Sequence, residues 1–181
     1  MQNVFFIGDT HFGHKDILKY EANHRQYREI GSSRPFRDID EHDEYLVQEW
    51  NKVVGDKDIV YVMGDFCFGR SNISIAGCLA GRKRLIMGNH DVYPAQEYLK
   101  YFERLYGVLF YKKYLLSHIP VHPNHARSVI NIHGNLHSHT VDHASITNLL
   151  YINVSCEKVG MRPISLEDLE VKAYGMRGER C

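Results

Sequence analysis

The sequence predicts an α/β fold, and three observations carry that reading. Short apolar runs recur at 4–7, 59–63, 84–87, 114–116 and 129–132. They are rich in Val, Ile, Leu and aromatic residues, as strands covered on both faces are. Between the first two lies a segment of helical period. Ile39, Leu46, Trp50 and Val53 or Val54 recur close to every 3.6 residues, behind a first turn crowded with acids. Finally, Gly8, Gly64, Gly88 and Gly134 follow apolar runs, where the chain has to turn sharply.

Taken in order, the run at 4–7 is a buried strand, and residues 15–38 are polar and loop-like. Ile17, Leu18 and Tyr20 suggest a short helix there, and Gly31 to Pro35 punctuates the loop. The long helix starts at Asp38 and ends at Gly55 and Asp56. After the second strand, residues 73–80 read as a helix stopped by Gly81. Arg82, Lys83 and Arg84 read as a solvated face, with a phosphate-facing role for one of them as the alternative. Pro94 stands as the first residue of a helix whose buried face is Tyr98, Phe102 and Leu105. Residues 108–111 and 114–116 are two strands joined at Lys112 and Lys113, and 150–154 is the last core strand. Ser165 to Asp168 has the form of a capping box opening a terminal helix.

Length and composition bound the function. A chain of 181 residues without internal repeat, low-complexity tract or linker reads as one domain, 1–181. At 44% hydrophobic and 24% charged it has the composition of a globular protein. Lys plus Arg balance Asp plus Glu at 22 each, which argues against nucleic-acid binding by bulk electrostatics. Cys67, Cys78, Cys156 and Cys181 show neither CxxC spacing nor disulfide density, so they read as free thiols. No basic leader and no long apolar run is present, so a cytoplasmic location is expected. Histidine is the unusual residue, with 12 copies.

Those histidines gather where the strands end. Asp9 and His11, Asp65, Asn89, His118, and then His137 with His139 or Asn135 each follow an apolar run. Carboxylate and amide oxygens with neutral imidazoles suit borderline divalent metals. Cysteine is absent from the set, which argues against a structural zinc site. One metal does not need so many ligands, whereas two ions sharing a carboxylate would use them all. Residues at successive strand ends converge in the crevice beyond a sheet. Any one of them alone reads as a turn former. His24, His42, His122, His125 and His143 sit in polar surroundings and are not assigned as ligands.

Asp9-x-His11, Gly64-Asp65, Gly88-Asn89-His90-Asp91, a lone His118 and a final Gly/His segment resemble the calcineurin-like metallophosphoesterase superfamily. Phe12-Gly13-His14 and Arg34-Pro35-Phe36 resemble a compact subgroup of bacteria and phages. The resemblance implies a four-layer αββα sandwich, two mixed β-sheets flanked by helices, with a dinuclear metal centre at the strand ends. By motif position, Asp9 and His11 hold the first metal, Asp65 bridges, and Asn89 and His118 hold the second. His90 is the catalytic residue, reaching substrate or leaving-group oxygen. The last block departs from the family's Gly-His-x-His. Either Asn135 replaces the first histidine and His137 is the second, or a two-residue insertion lets His137 and His139 serve.

The function expected is hydrolysis of phosphomonoesters or phosphodiesters, with hydroxide generated on two divalent ions. Manganese is preferred, and Fe, Ni, Zn, Co or Mg are the alternatives. The substrate would be a small molecule or nucleotide, with His14 and Arg34 holding its phosphate and Arg70 a weaker candidate. Asp91 either orients the His90 ring or caps the turn. Two further readings compete: a nuclease of the same chemistry, and a non-catalytic protein-binding module on this fold.

Overall fold

A computed structural model describes residues 2–19, 34–125, 130–141 and 150–178. Most of the polar segment before the long helix, with His24, lies outside the described residues, as do His143 and Cys181. The strands are β1 (Val4–Ile7), β2 (Ile59–Val62), β3 (Arg82–Ile86), β4 (Arg104–Tyr106), β5 (Val108–Tyr111), β6 (Tyr114–Ser117), β7 (Ile130–His133), β8 (Leu150–Asn153) and β9 (Ile164–Ser165). The α-helices are α1 (Ile39–Val53), α2 (Ala95–Tyr98), α3 (Cys156–Val159) and α4 (Leu166–Gly178). One sheet has the order β4-β3-β2-β1-β9, the other β5-β6-β7-β8. Both are mixed: β9 runs antiparallel to β1, and β5 antiparallel to β6, while the remaining pairs are parallel. Two mixed sheets with flanking helices are the architecture the sequence predicted.

Strand alternation explains why the runs are apolar throughout. Phe5 and Ile7 of β1 face one core, with Leu46 and Trp50 of α1. Phe6, between them, faces the other, where Tyr61 and Ile86 meet Tyr114, Leu116, Ile132 and Ile152 of the second sheet. The central strands β1, β2 and β3 therefore bury side chains on both faces. α1 begins where the acids predict, with the Asp38 carboxylate accepting the Glu41 N–H at 2.9 Å. Leu169 of α4 joins the core between the sheets. Among the described residues, no helix is long and apolar enough to cross a membrane.

Three local readings are corrected. The helix expected at 73–80 is a 3-10 helix over Arg70–Cys78. The helix after Pro94 makes one turn only, and Leu105 lies on β4, opposite Leu85, because this segment extends the parallel sheet. Tyr98 and Phe102 are buried as expected. The basic triplet is not a solvated face throughout. Lys83 is buried and donates to the Leu79 and Gly81 carbonyls, which the 3-10 helix and its turn leave unpaired. Arg82 pairs with Glu103 and Arg84 donates to the Tyr61 hydroxyl, so none faces a phosphate site.

The topology places the chemistry. β1, β2 and β3 are parallel, so the turns after them open on one edge, and β6 and β7 are parallel in the second sheet. The two edges are stitched together by backbone. Gly8 donates to the Val154 carbonyl, and Cys156 donates to the Gly8 carbonyl. Within each edge, the Asp9 N–H donates to the Gly64 carbonyl, and the Gly134 N–H to the His118 carbonyl.

Candidate metal centre

The strand-end residues converge. Asp9, His11 and His137 form one group, and Asp9, Asp65 and His118 another. In each, the ligand atoms lie within 4.8 Å of one another. All of these side chains are buried. Asp65 Oδ2 is 3.8 Å from His11 Nε2 and 3.4 Å from His118 Nε2, so it also reaches both groups. Asn89 Oδ1 is 3.0 Å from His118 Nε2. His139 is in neither group, and its Nδ1 faces the Leu136 carbonyl at 3.2 Å. Asn135 contributes its backbone N–H, which donates to both carboxylate oxygens of Asp9 at 2.9 and 3.1 Å.

The donor set fits divalent ions, and the orphaned lone pairs say where. His118 Nδ1 faces the Met63 carbonyl at 2.7 Å, so that nitrogen carries the proton. Its Nε2 then looks at two acceptor oxygens, Asn89 Oδ1 and Asp65 Oδ2. Three acceptors directed at one point require a cation, either a proton or a metal. His11 Nε2 is likewise buried without a hydrogen-bond partner.

The electrostatics express the same demand. Burial pushes the Asp9 carboxyl up to about 6. Burial would lower His118, but Asp65 and Asp9 outweigh it and lift the imidazole to about 9. Burial, reinforced by Arg34 and His137, holds His11 well below its ordinary value, so it stays neutral and ready to bind. Metal uptake must therefore expel a proton from His118, and below about pH 6 from Asp9 as well. Mn²⁺ affinity is expected to climb as pH rises towards about 9, with protons released on binding. Calorimetry in buffers of different ionisation enthalpy checks this, and proton-free uptake at pH 7 would contradict it.

The backbone at these positions is unusual. Asp9, His11, Asp65, Asn135 and His137 all have positive φ, between 48° and 64°. Side chains rarely adopt this left-handed region, which costs on the order of 1 kcal/mol or more at each residue. Such strain persists only where the surroundings over-determine it. Gly88 serves close approach instead: a Cβ there would sit 2.2 Å from Asp65 Oδ1 and 2.6 Å from Asp65 N. Gly88→Ala is expected to displace Asp65 and weaken metal binding by about tenfold or more, read by titration of the stripped protein.

The remaining candidates divide. His90 lies on the exposed rim, its ring centroid 6.0 Å from that of His11, and its backbone N–H donates to Asp65 Oδ1 at 2.9 Å. His14 is half-buried, its Nδ1 3.1 Å from His11 Nδ1 and its ring stacked on Phe68 at 3.6 Å. Arg34 is a correction. It is fully buried, paired with Glu157 at 2.8 Å and bonded to the carbonyls of Asp9 and Thr10, because an internal guanidinium must satisfy its fork. It presents no face to a substrate. Arg70 is exposed and paired with Glu97. Asp91 caps the turn, accepting the N–H groups of Asp65, Phe66 and Gly88, and no bond to the His90 ring is present.

Sequence reasoning missed Glu157 and Phe68. Glu157 is buried and accepts from His137 Nδ1 at 3.1 Å. Its one signal was available: an acid shortly after an apolar strand, the rule that found the others. Phe68 packs against the rings of His11, His14 and His90.

Fold and site together define an α/β two-sheet protein with a metal-competent crevice at its strand ends. The calcineurin-like phosphoesterase family model matches residues 3–172, and the chain belongs to that family. An uncharacterized protein of Methanocaldococcus jannaschii is 34% identical, the alignment covering 95% of this chain and 91% of that one. The Gene 66 protein of Mycobacterium phage D29 is 29% identical, over 87% of this chain and 89% of its own length. A crystal structure of a protein of unknown function from Aquifex aeolicus superposes with a TM-score of 0.67 at 25% identity, over 94% of this chain and 98% of that one.

Proposed function

We propose that this protein is a metal-dependent hydrolase of phosphomono- or phosphodiesters, acting on a small molecule or nucleotide in the cytoplasm. The observation that carries the reading is the pair of carboxylate–histidine groups sharing Asp9, beside the exposed imidazole of His90. Asp9, His11 and His137 would hold one ion, and Asp9, Asp65, His118 and Asn89 the other. When bound, two divalent ions, Mn²⁺ by preference, supply Lewis acidity and an activated water. The chain supplies the rest. Asp91 fixes the turns that present Asp65 and Asn89. His90 gives a proton to the leaving oxygen, or stabilises charge on it, from the open side of the crevice. Phe68 walls that side, between His14 and His90.

The test is hydrolysis of p-nitrophenyl phosphate and bis-p-nitrophenyl phosphate by stripped protein with Mn²⁺, Ni²⁺, Zn²⁺ or Mg²⁺ restored. Turnover should need the metal, and the preferred ester separates mono- from diesterase. His90→Ala should lower kcat by about 10²–10⁴ with bound metal unchanged. Wild-type activity in that variant would remove His90 from the mechanism. Two bound ions without turnover of either ester would favour a binding module.

A further inference from the structure

We infer that Arg34 and Glu157 form a positioning unit that assembles one of the two metal groups from separate loops, with Glu157 acting on the bound ion through His137. The inference rests on the metal reading above. The Arg34 guanidinium lies at the centre. Nη2 donates to the Asp9 carbonyl, Nη1 donates to the Thr10 carbonyl at 3.0 Å, and Nε donates to Glu157 Oε1 at 2.8 Å. The same Oε1 accepts from His137 Nδ1 at 3.1 Å. One side chain from before α1 thus ties the turn after β1 to the first turn of α3. α3 in turn holds the loop after β7. Asp9, His11 and His137, the three members of one group, all come from the two loops that this unit joins.

The anchor reaches further back. Arg34 Nη1 lies 3.0 Å from His42 Nε2, and His42 Nδ1 lies 2.8 Å from Asp43 Oδ1. Asp43 Oδ2 accepts the Gly13 N–H at 2.8 Å, two residues beyond His11. Both ends of the turn carrying Asp9 and His11 are therefore pinned to α1 and Arg34. That long-range restraint answers the left-handed φ of Asp9, His11 and His137, where no glycine relieves the strain. Direction matters too. With its Nδ1–H on Glu157, His137 keeps Nε2 as the nitrogen that can bind an ion, the tautomer a ligand needs. The two residues particular to the other group are held differently, His118 by Met63 and Asp65 by Asp91, and neither touches Glu157. Disturbing Glu157 should then act on one ion and spare the other.

The experiment titrates stripped wild-type, Glu157→Gln, His137→Ala and double-variant proteins with Mn²⁺ by calorimetry. In Glu157→Gln, one of the two affinities should fall about 10–100-fold, and the other should stay within about twofold. In the His137→Ala background the same change should cost nothing more, because Glu157 acts through that ring. Equal weakening of both ions, no weakening, or an undiminished effect without His137 would overturn the inference. A second measurement needs no metal. In long-range ¹H–¹⁵N spectra of metal-free wild type, at a pH where the imidazole is neutral, His137 should be the Nδ1–H tautomer, and an Nε2–H tautomer would also overturn it. Failure of wild type to take up Mn²⁺ would instead refute the metal reading, with the tautomer still deciding the role of Glu157.

Discussion

Asp9→Asn is expected to strip both ions from the site and to lower kcat/KM by about a thousandfold or more. The family pattern implied that Asp65 alone bridges. The geometry gives Asp9 at least equal standing, because its carboxylate belongs to both ligand groups. It is also wholly buried and oriented by the Asn135 N–H on both oxygens, so an amide in its place turns an NH₂ towards a donor or towards the cations. Asp65→Asn should also weaken both ions, since Oδ2 reaches His11 and His118. His118→Ala should spare the ion held by Asp9, His11 and His137. Elemental analysis after dialysis, run beside the ester assay, separates these cases. Loss of one ion in Asp9→Asn with loss of two in Asp65→Asn would return the bridge to Asp65 alone.

Much of this is legible in the sequence. Apolar runs ending in glycine and a ligand residue marked β1, β2, β3 and β7, and one ending in His118 without a glycine marked β6, together with the sheet edge where the site lies. That works because a parallel strand buried on both faces must be apolar throughout, and its end is the first place a polar side chain is free to work. What stayed hidden was support rather than ligation. Arg34 sits in a polar loop and looks like a surface cation, and only the fold shows its guanidinium turned inward to backbone carbonyls of residues 9 and 10. Glu157 meets His137 across 20 positions, which no local spacing encodes. The choice between Asn135 and His139 was likewise not decidable from spacing. With Asn135 and His137 both left-handed, the loop points a backbone N–H at Asp9 and the His137 imidazole into the crevice, while His139 faces Leu136.

Glu157→Ala is expected to destabilise the metal-free protein by about 3–5 kcal/mol, because it takes the Glu157 carboxylate away from the buried Arg34 charge. For a chain of this size that is a fall in Tm of about 10 °C. Burial alone would raise the Glu157 carboxyl, but Arg34 and His137 outweigh it and hold it down to about 2, from about 4.5 when unfolded. A depressed folded value means the stabilisation, about 3 kcal/mol by linkage, is fully present above about pH 4.5 and lost as pH falls through about 2. Wild type should therefore lose stability faster than the variant across that window, and the two curves should converge at its acid end. Arg34→Met with Glu157→Leu should recover much of the loss, since a buried ion pair is seldom worth more than well-packed apolar groups of similar volume. Stability and metal affinity then part company. The apolar pair restores the melting temperature but offers His137 no acceptor, so Mn²⁺ binding should remain weak. A Glu157→Ala protein that melts within about 2 °C of wild type at pH 7 would show that the pair contributes little to the fold. The burial of Arg34 would then need an explanation from the site alone.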